Sequence, residues 1–319
     1  MSKKLTLKTA SEKMSIGECF QSFIGKCVIK NLSAETIKFY QNQFHVFLES
    51  LDDKECPIEN IGSKDIDNFI LYLKEKGTCN DITINSYLRG IRAFLYYAMD
   101  EGYLPSFHIT IPKANKKIKE TYTDEELMVL LKKPNLKTCT FTEYKIWVYT
   151  NYLLATGNRL SSALGLKIGD LDFDNQLIHV NQTKNRKAQI IPMSETLCKI
   201  LREYLRYRKG TDDDYVFCNT RGGKGDSRTY EDMLASYNRK RGVKKTSAHL
   251  YRHTFAKRWI LNGGDIFRLQ KILGHSDLSV VKEYVEMFGN DLSRDFGKFN
   301  PLDTMGFQNG EKLKMGRRA

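Results

Sequence analysis

The stretch Asp170–Ser194 reads DLDFDNQLIHVNQTKNRKAQIIPMS. Apolar and polar residues alternate in QLIHV and again in AQIIPM, the two-residue period of half-buried strands. The polar run between them carries Lys184, Arg186 and Lys187 and has the composition of a turn. A hairpin or small antiparallel sheet is expected here. The flanks read differently. TYTDEELMVLLKK opens a helix with Thr123 as cap and Glu126 three residues on, a capping-box spacing. EYKIWVYTNYLLATG is a second helix that stops at Gly157, and helices return from Glu195 onward. The expected class is mainly α with one small antiparallel β-sheet.

Upstream the pattern is helical throughout. Ser15 and Glu18 have capping-box spacing before Ile16, Cys19, Phe20, Phe23 and Ile24. SAETIKFYQNQFHVFLESL places Ile37, Tyr40, Phe44, Phe47, Leu48 and Leu51 on one stripe. SKDIDNFILYLKEKG reads as a third helix capped by Ser63 and stopped at Gly77, and DITINSYLRGIRAFLYYAMDEGYL as a fourth closed by Gly102. Four amphipathic helices with short connections predict a bundle over residues 15–104. Residues 105–120 follow as a basic linker. Pro105 and Pro112 bracket an extended stretch, and Lys113, Lys116, Lys117 and Lys119 suit a strap along a phosphate backbone. A second domain is expected over 121–290. The polar segment 291–319 reads as a tail, placed to dock on a neighbouring protomer.

Bulk properties narrow the class. The chain has 319 residues, enough for two domains. With 51 Lys+Arg against 38 Asp+Glu its net charge is +13, which favours a polyanionic partner. No apolar run is long enough to span a bilayer, so no membrane association is expected. The start, MSKKLTLKTASEKMS, has lysines without an apolar core, and no secretory signal is expected. The cysteines are odd in number and form no C-x-x-C pair, which argues against a disulfide framework or zinc site and for a reducing cytoplasm.

Phosphodiester cleavage requires cations around the phosphorane oxygens, a nucleophile, and an acid for the leaving oxygen. Arginine meets the first need best, since its planar fork bonds two oxygens and stays charged. The sequence supplies such groups in order. ATGNRLSSALGLKIG puts Arg159 just past the Gly157 turn, and TKNRK puts Lys184 on the hairpin turn. SAHLYRHTFAKRWI puts His249 and Arg252 three apart on one helix face, and KILGHSDLSVVKEYVEMF puts His275 after a glycine with Tyr284 nine residues on. Each is unremarkable alone; the ordered set carries the weight.

That set resembles the tyrosine recombinase, or phage integrase, family. The family pattern is T-G-x-R-x-S, a lysine on a β-hairpin, H-x-x-R, G-H and a tyrosine. It is filled here by TGNRLS, TKNRK, HLYR, LGH and KEYV. The likeness covers roughly residues 120–290, and the helical segment 15–104 looks like that family's core-binding, SAM-like domain ahead of a mixed α/β catalytic domain. One position departs from the pattern: Ser162 stands where the family usually has an acidic residue after the first arginine. This removes a brace for Arg159 and no reacting group.

The resemblance implies a site-specific recombinase acting on double-stranded DNA as a homotetramer, with or without accessory or directionality proteins. It implies a bacterial nucleoid, phage or mobile-element setting. Arg159 and Arg252 would clamp the scissile phosphate, and Lys184 would protonate the leaving 5′-oxygen. His249 and His275 would serve the phosphate or the tyrosine proton, and Tyr284 would attack to give a 3′-phosphotyrosyl link. Arg186 and Lys187 would join the linker lysines on DNA. No cofactor is expected, and no metal, since two arginines and a lysine supply the positive charge. A type IB topoisomerase shares a similar constellation, and a catalytically silent DNA-binding protein is the alternative from another class. The separate helical domain and the complete set of six favour recombination.

Overall fold

The computed structural model describes residues 14–114, 120–181, 188–274, 282 and 284–285. The chain divides into two compact units, Met1–Lys117 and Ile118–Ala319.

The first unit is built from α1 (Ile16–Ile29), α2 (Ala34–Glu49), α3 (Ser63–Glu75) and α4 (Asp81–Asp100). Its helix starts follow side-chain chemistry. The Ser15 hydroxyl accepts from the Glu18 amide while the Glu18 carboxylate accepts from the Ser15 amide at 2.8 Å. Asn80 caps α4 through the Thr83 amide. At α3 the expectation shifts by one residue. Gly62, not Ser63, is the cap, because Asp65 reaches back to accept from the Gly62 amide at 2.8 Å. The core is aromatic: Phe20 stacks on Phe44 with centroids 3.8 Å apart, and Phe94 meets both edge-on. Leu104 and Ile109 are buried in the same core, and Asn85 donates to the Pro112 carbonyl, so the segment after α4 packs onto this unit.

The second unit is organised around α6 (Phe141–Thr156), which follows α5 (Asp124–Leu131). The helix α6 buries Tyr144, Ile146, Trp147, Val148, Tyr149, Tyr152 and Leu153, residues that surround its axis. A helix apolar on all sides must sit in a core, and other helices cover it. These are α8 (Glu195–Arg208), α9 (Ser227–Lys240) and α10 (Ala248–Leu261). The short α7 (Leu160–Leu164) follows α6, and α11 (Ile266–Leu273) follows α10.

The expected hairpin is present. Strands β1 (Leu171–Asp172), β2 (Leu177–Val180) and β3 (Gln189–Pro192) form one antiparallel sheet in that order. Ile178 pairs with Ile191 and both are buried, while Ile190 points outward. Pro192, which cannot donate to a ladder, closes the edge strand β3. No helix among the described residues is long and apolar enough to cross a membrane. The cysteines at 19, 27, 56, 79, 139, 198 and 218 are all free thiols.

The two units have separate cores. Phe47 is wholly buried and meets Phe69 edge-on at 5.1 Å. Phe47→Ala should cost about 3–5 kcal/mol in the first unit. Hydrogen exchange should then speed up across α1–α4 and stay unchanged in α6; equal loss in α6 would show that the cores are energetically one.

Candidate active site

The site is assembled where α6 ends. Gly157 terminates that helix in the left-handed region, at φ 63°. A side chain there would be strained, and it would also collide, since a Cβ would lie 2.6 Å from Phe255 Cδ1 and 2.8 Å from Leu273 Cδ2. The turn continues through buried Asn158, whose amide donates to the Tyr152 hydroxyl at 2.6 Å. It delivers Arg159, half-buried, as the N-cap of α7. Ser162 is buried in α7.

Arg252 comes from α10 and is 3% exposed. Its guanidinium donates to the Gly157 carbonyl at 2.8 Å and to the Leu273 carbonyl at 2.7 Å. Both acceptors lie at helix C-terminal ends, those of α6 and α11, where carbonyls lack intrahelical partners and carry partial negative charge. One side chain thus ties three elements together. The end of α11 has a second tie: the Gln189 amide of β3 donates to the Lys271 carbonyl at 2.8 Å and also to that of Ile272. Gly274, at φ 63°, closes that helix against Gln189.

The helix α10 places the candidate residues on one stripe. His249, Arg252, His253 and Ala256 recur at helical spacing. His249 is exposed at the helix start, and its ring meets His253 nearly perpendicularly at 5.5 Å. Tyr284 lies in helical backbone and is 1% exposed. It packs in one apolar cluster with Ala256, Leu269 and Leu273, flanked by Phe255, Trp259, Ile260 and Ile266. Its hydroxyl lies 2.6 Å from Nδ1 of His253.

Electrostatics bind these groups further. Burial first, and then the nearby Arg159 charge, bring the Arg252 guanidinium down to about 10, with the Tyr284 hydroxyl acting in the opposite direction. Burial also lowers Arg159, again opposed by Tyr284. Both arginines remain cations at neutral pH, and the two repel. An anion placed between them relieves that repulsion.

Of the six residues singled out in the sequence, the fold brings Arg159, Arg252 and Tyr284 within electrostatic reach of one another, with His249 on the same stripe of α10. Lys184 and His275 lie outside the described residues, as do Lys116, Lys117, Lys119, Arg186, Lys187 and the segment 291–319. Lys113 is described and exposed. Among the described residues no cluster of three or more His, Cys, Asp or Glu could hold a metal ion. Sequence reasoning passed over His253 and Gln189. The signal for His253 was present, since it follows Arg252 directly and lies four residues from His249. Gln189 gave no local signal.

Residues 121–290 match the phage integrase family, and residues 15–118 match the phage integrase SAM-like domain. The chain belongs to the phage integrase family. It is therefore a tyrosine recombinase, of the enzyme class that breaks and rejoins DNA. It is 27% identical to the tyrosine recombinase XerD of Listeria innocua over 286 residues, covering 86% of this chain and 95% of that one. Its fold matches the Tn1549 transposon integrase in complex with a circular intermediate DNA, with TM-score 0.69 and 24% identity. That match covers 83% of this chain and 94% of the integrase. It also matches a lambda integrase tetramer bound to a Holliday junction, with TM-score 0.68, 15% identity, and coverage of 88% and 80%.

The Gly157 turn sets the position of both arginines. Gly157→Ala should destabilise this recombinase by about 2–4 kcal/mol, from left-handed strain plus overpacking. A urea midpoint within error of wild type would mean the turn tolerates a Cβ and does not fix the site.

Proposed function

We propose that Tyr284 is the nucleophile of this recombinase and that Arg159 and Arg252 hold the scissile phosphate. The observation that carries this reading is the approach of one buried tyrosine hydroxyl to two mutually repelling guanidinium groups. Neither arginine has a plausible role in binding an apolar ligand, and a phosphate accepts from both. Tyr284 Oη bonds to phosphorus as the 5′-oxygen leaves. The phosphorane charge falls between Arg159 and Arg252, and the product is a 3′-phosphotyrosyl link with a free 5′-hydroxyl. A phenol has an ordinary pKa of about 10 and leaves far more readily than an alkoxide. The link therefore keeps the energy of the broken bond, and rejoining needs no nucleotide triphosphate.

By the family pattern, Lys184, between β2 and β3 in the sequence, fits the role of acid to the 5′-oxygen, and His275 that of a donor to a non-bridging oxygen. His249, exposed at the start of α10, faces outward where a phosphate can meet it. Ser162 in place of an acidic residue leaves Arg159 oriented by the Gly157–Asn158 turn. The substrate is double-stranded DNA at specific sites. The net charge of +13, Lys113 and the other linker lysines, and Arg186 and Lys187 suit its backbone. Two duplexes exchanging strands need four nucleophiles, so the acting species is a homotetramer in which the 291–319 tail docks on a neighbour. The lambda integrase tetramer on a Holliday junction has this stoichiometry. The setting is a bacterial cytoplasm, in the service of a mobile element.

The test is covalent trapping on nicked suicide duplexes resolved on a denaturing gel. Wild type should give a slow-migrating adduct, and Tyr284→Phe should bind the same DNA and give none. Arg159→Ala should slow adduct formation by about 10²–10³-fold, the effect of removing one positioned donor to a transition-state anion. An adduct from Tyr284→Phe would refute the assignment.

A further inference from the structure

His253 is outside the six residues of the family pattern, yet its ring touches the Tyr284 hydroxyl. The contact is 2.6 Å from Oη to Nδ1, the length of a strong O–H···N or O···H–N bond. We propose that His253 is a catalytic residue that takes the Tyr284 proton during cleavage and returns it during rejoining. The proposal rests on the reading of Tyr284 as the nucleophile.

Three observations carry it. First, the geometry gives the proton a path. When the imidazole is neutral with its hydrogen on Nε2, Nδ1 is an acceptor and the phenol is the donor. Second, Tyr284 is 1% exposed, so bulk water does not compete for its proton. Third, His253 is fixed on the same helical stripe as Arg252 and Ala256. The first of these is proposed to hold the phosphate, and the second packs in the cluster around the Tyr284 ring. Base, phosphate clamp and ring support are thus set by one rigid element. His249 is the alternative base on that stripe. It is exposed, and its ring stands 5.5 Å from that of His253, where it is better placed for the phosphate than for the buried hydroxyl.

The chemistry balances. In cleavage the O–H bond of Tyr284 breaks, the Oη–P bond forms, and the P–O5′ bond breaks. The proton passes to Nδ1, and the 5′-oxygen takes a proton from the general acid. Rejoining reverses each step, with the His253 imidazolium protonating the departing phenolate. An unperturbed phenol, of pKa about 10, is a much weaker acid than an imidazolium, of about 6.5, so the transfer must be drawn forward by bond formation to phosphorus. As Oη bonds to phosphorus the phenol becomes a strong acid, and transfer to imidazole turns downhill. This is the regime in which a general base accelerates reaction.

The experiment uses the full chain and a duplex selected from a randomised library by covalent capture on wild type. Rates of adduct formation at saturating DNA are compared with DNA affinities for wild type, His253→Asn and His253→Ala. Asn retains an acceptor for the hydroxyl but cannot take its proton. Both variants should lose about 10²-fold or more in rate and keep their affinity within about twofold. Replacing Tyr284 by difluorotyrosine, a more acidic phenol, should recover about tenfold in each variant, which a packing role would not produce. Thermal melting confirms that the variants fold. Near-wild-type cleavage by His253→Asn, or no gain from fluorination, would overturn the role of His253 and leave Tyr284 as nucleophile intact. No captured DNA with wild type would instead overturn the Tyr284 reading, and His253 with it.

Discussion

The buried guanidinium of Arg252 is the constraint around which the second unit closes. It bonds the carbonyls of Gly157 and Leu273, the exposed-dipole ends of α6 and α11, from a position on α10 that is 3% exposed. A buried cation without such acceptors would cost several kcal/mol. With them it is a rivet that keeps its positive charge at neutral pH. The same bonds hold the turn that aims Arg159 and the end of α11 that precedes the approach to Tyr284. In the proposed reading, structural and chemical roles therefore coincide in one side chain. Loss of activity in an Arg252 variant would mix the two, which is why Arg159 and His253 are the cleaner probes.

Among the described residues, the site is built from helix ends and helix faces. Burial lowers both arginines, the Arg159 charge lowers Arg252 further, and the Tyr284 hydroxyl raises both. In the proposed reading a phosphate, or the more highly charged phosphorane, would relieve the repulsion at Arg252. Tyr284 is buried against Ala256, Leu269 and Leu273, and with Tyr284 as the proposed nucleophile this burial would shield a phosphotyrosyl bond from water.

Much of this was legible in the sequence because it is local. Capping boxes at Ser15 and Thr123 and the alternation that pairs Ile178 with Ile191 obey rules spanning a few residues. The ordered arginines, histidines and tyrosine were legible through a family pattern. What was missed depends on residues far apart in the chain. Gln189 binds α11 across 82 residues, and His253 meets Tyr284 across 31. Neither partner leaves a mark near the other. At Gly62 the miss was a matter of competition: Ser63 looked like the cap, but Asp65 already satisfied the glycine amide.

The most direct measurement is peptide mapping of the protein–DNA adduct. Wild type trapped on DNA would be digested with nuclease and trypsin, and the nucleotide remnant located by mass spectrometry. The account predicts a 3′-linked nucleotide on the peptide covering residues 283–294, carried by Tyr284. A remnant on any other peptide would contradict it.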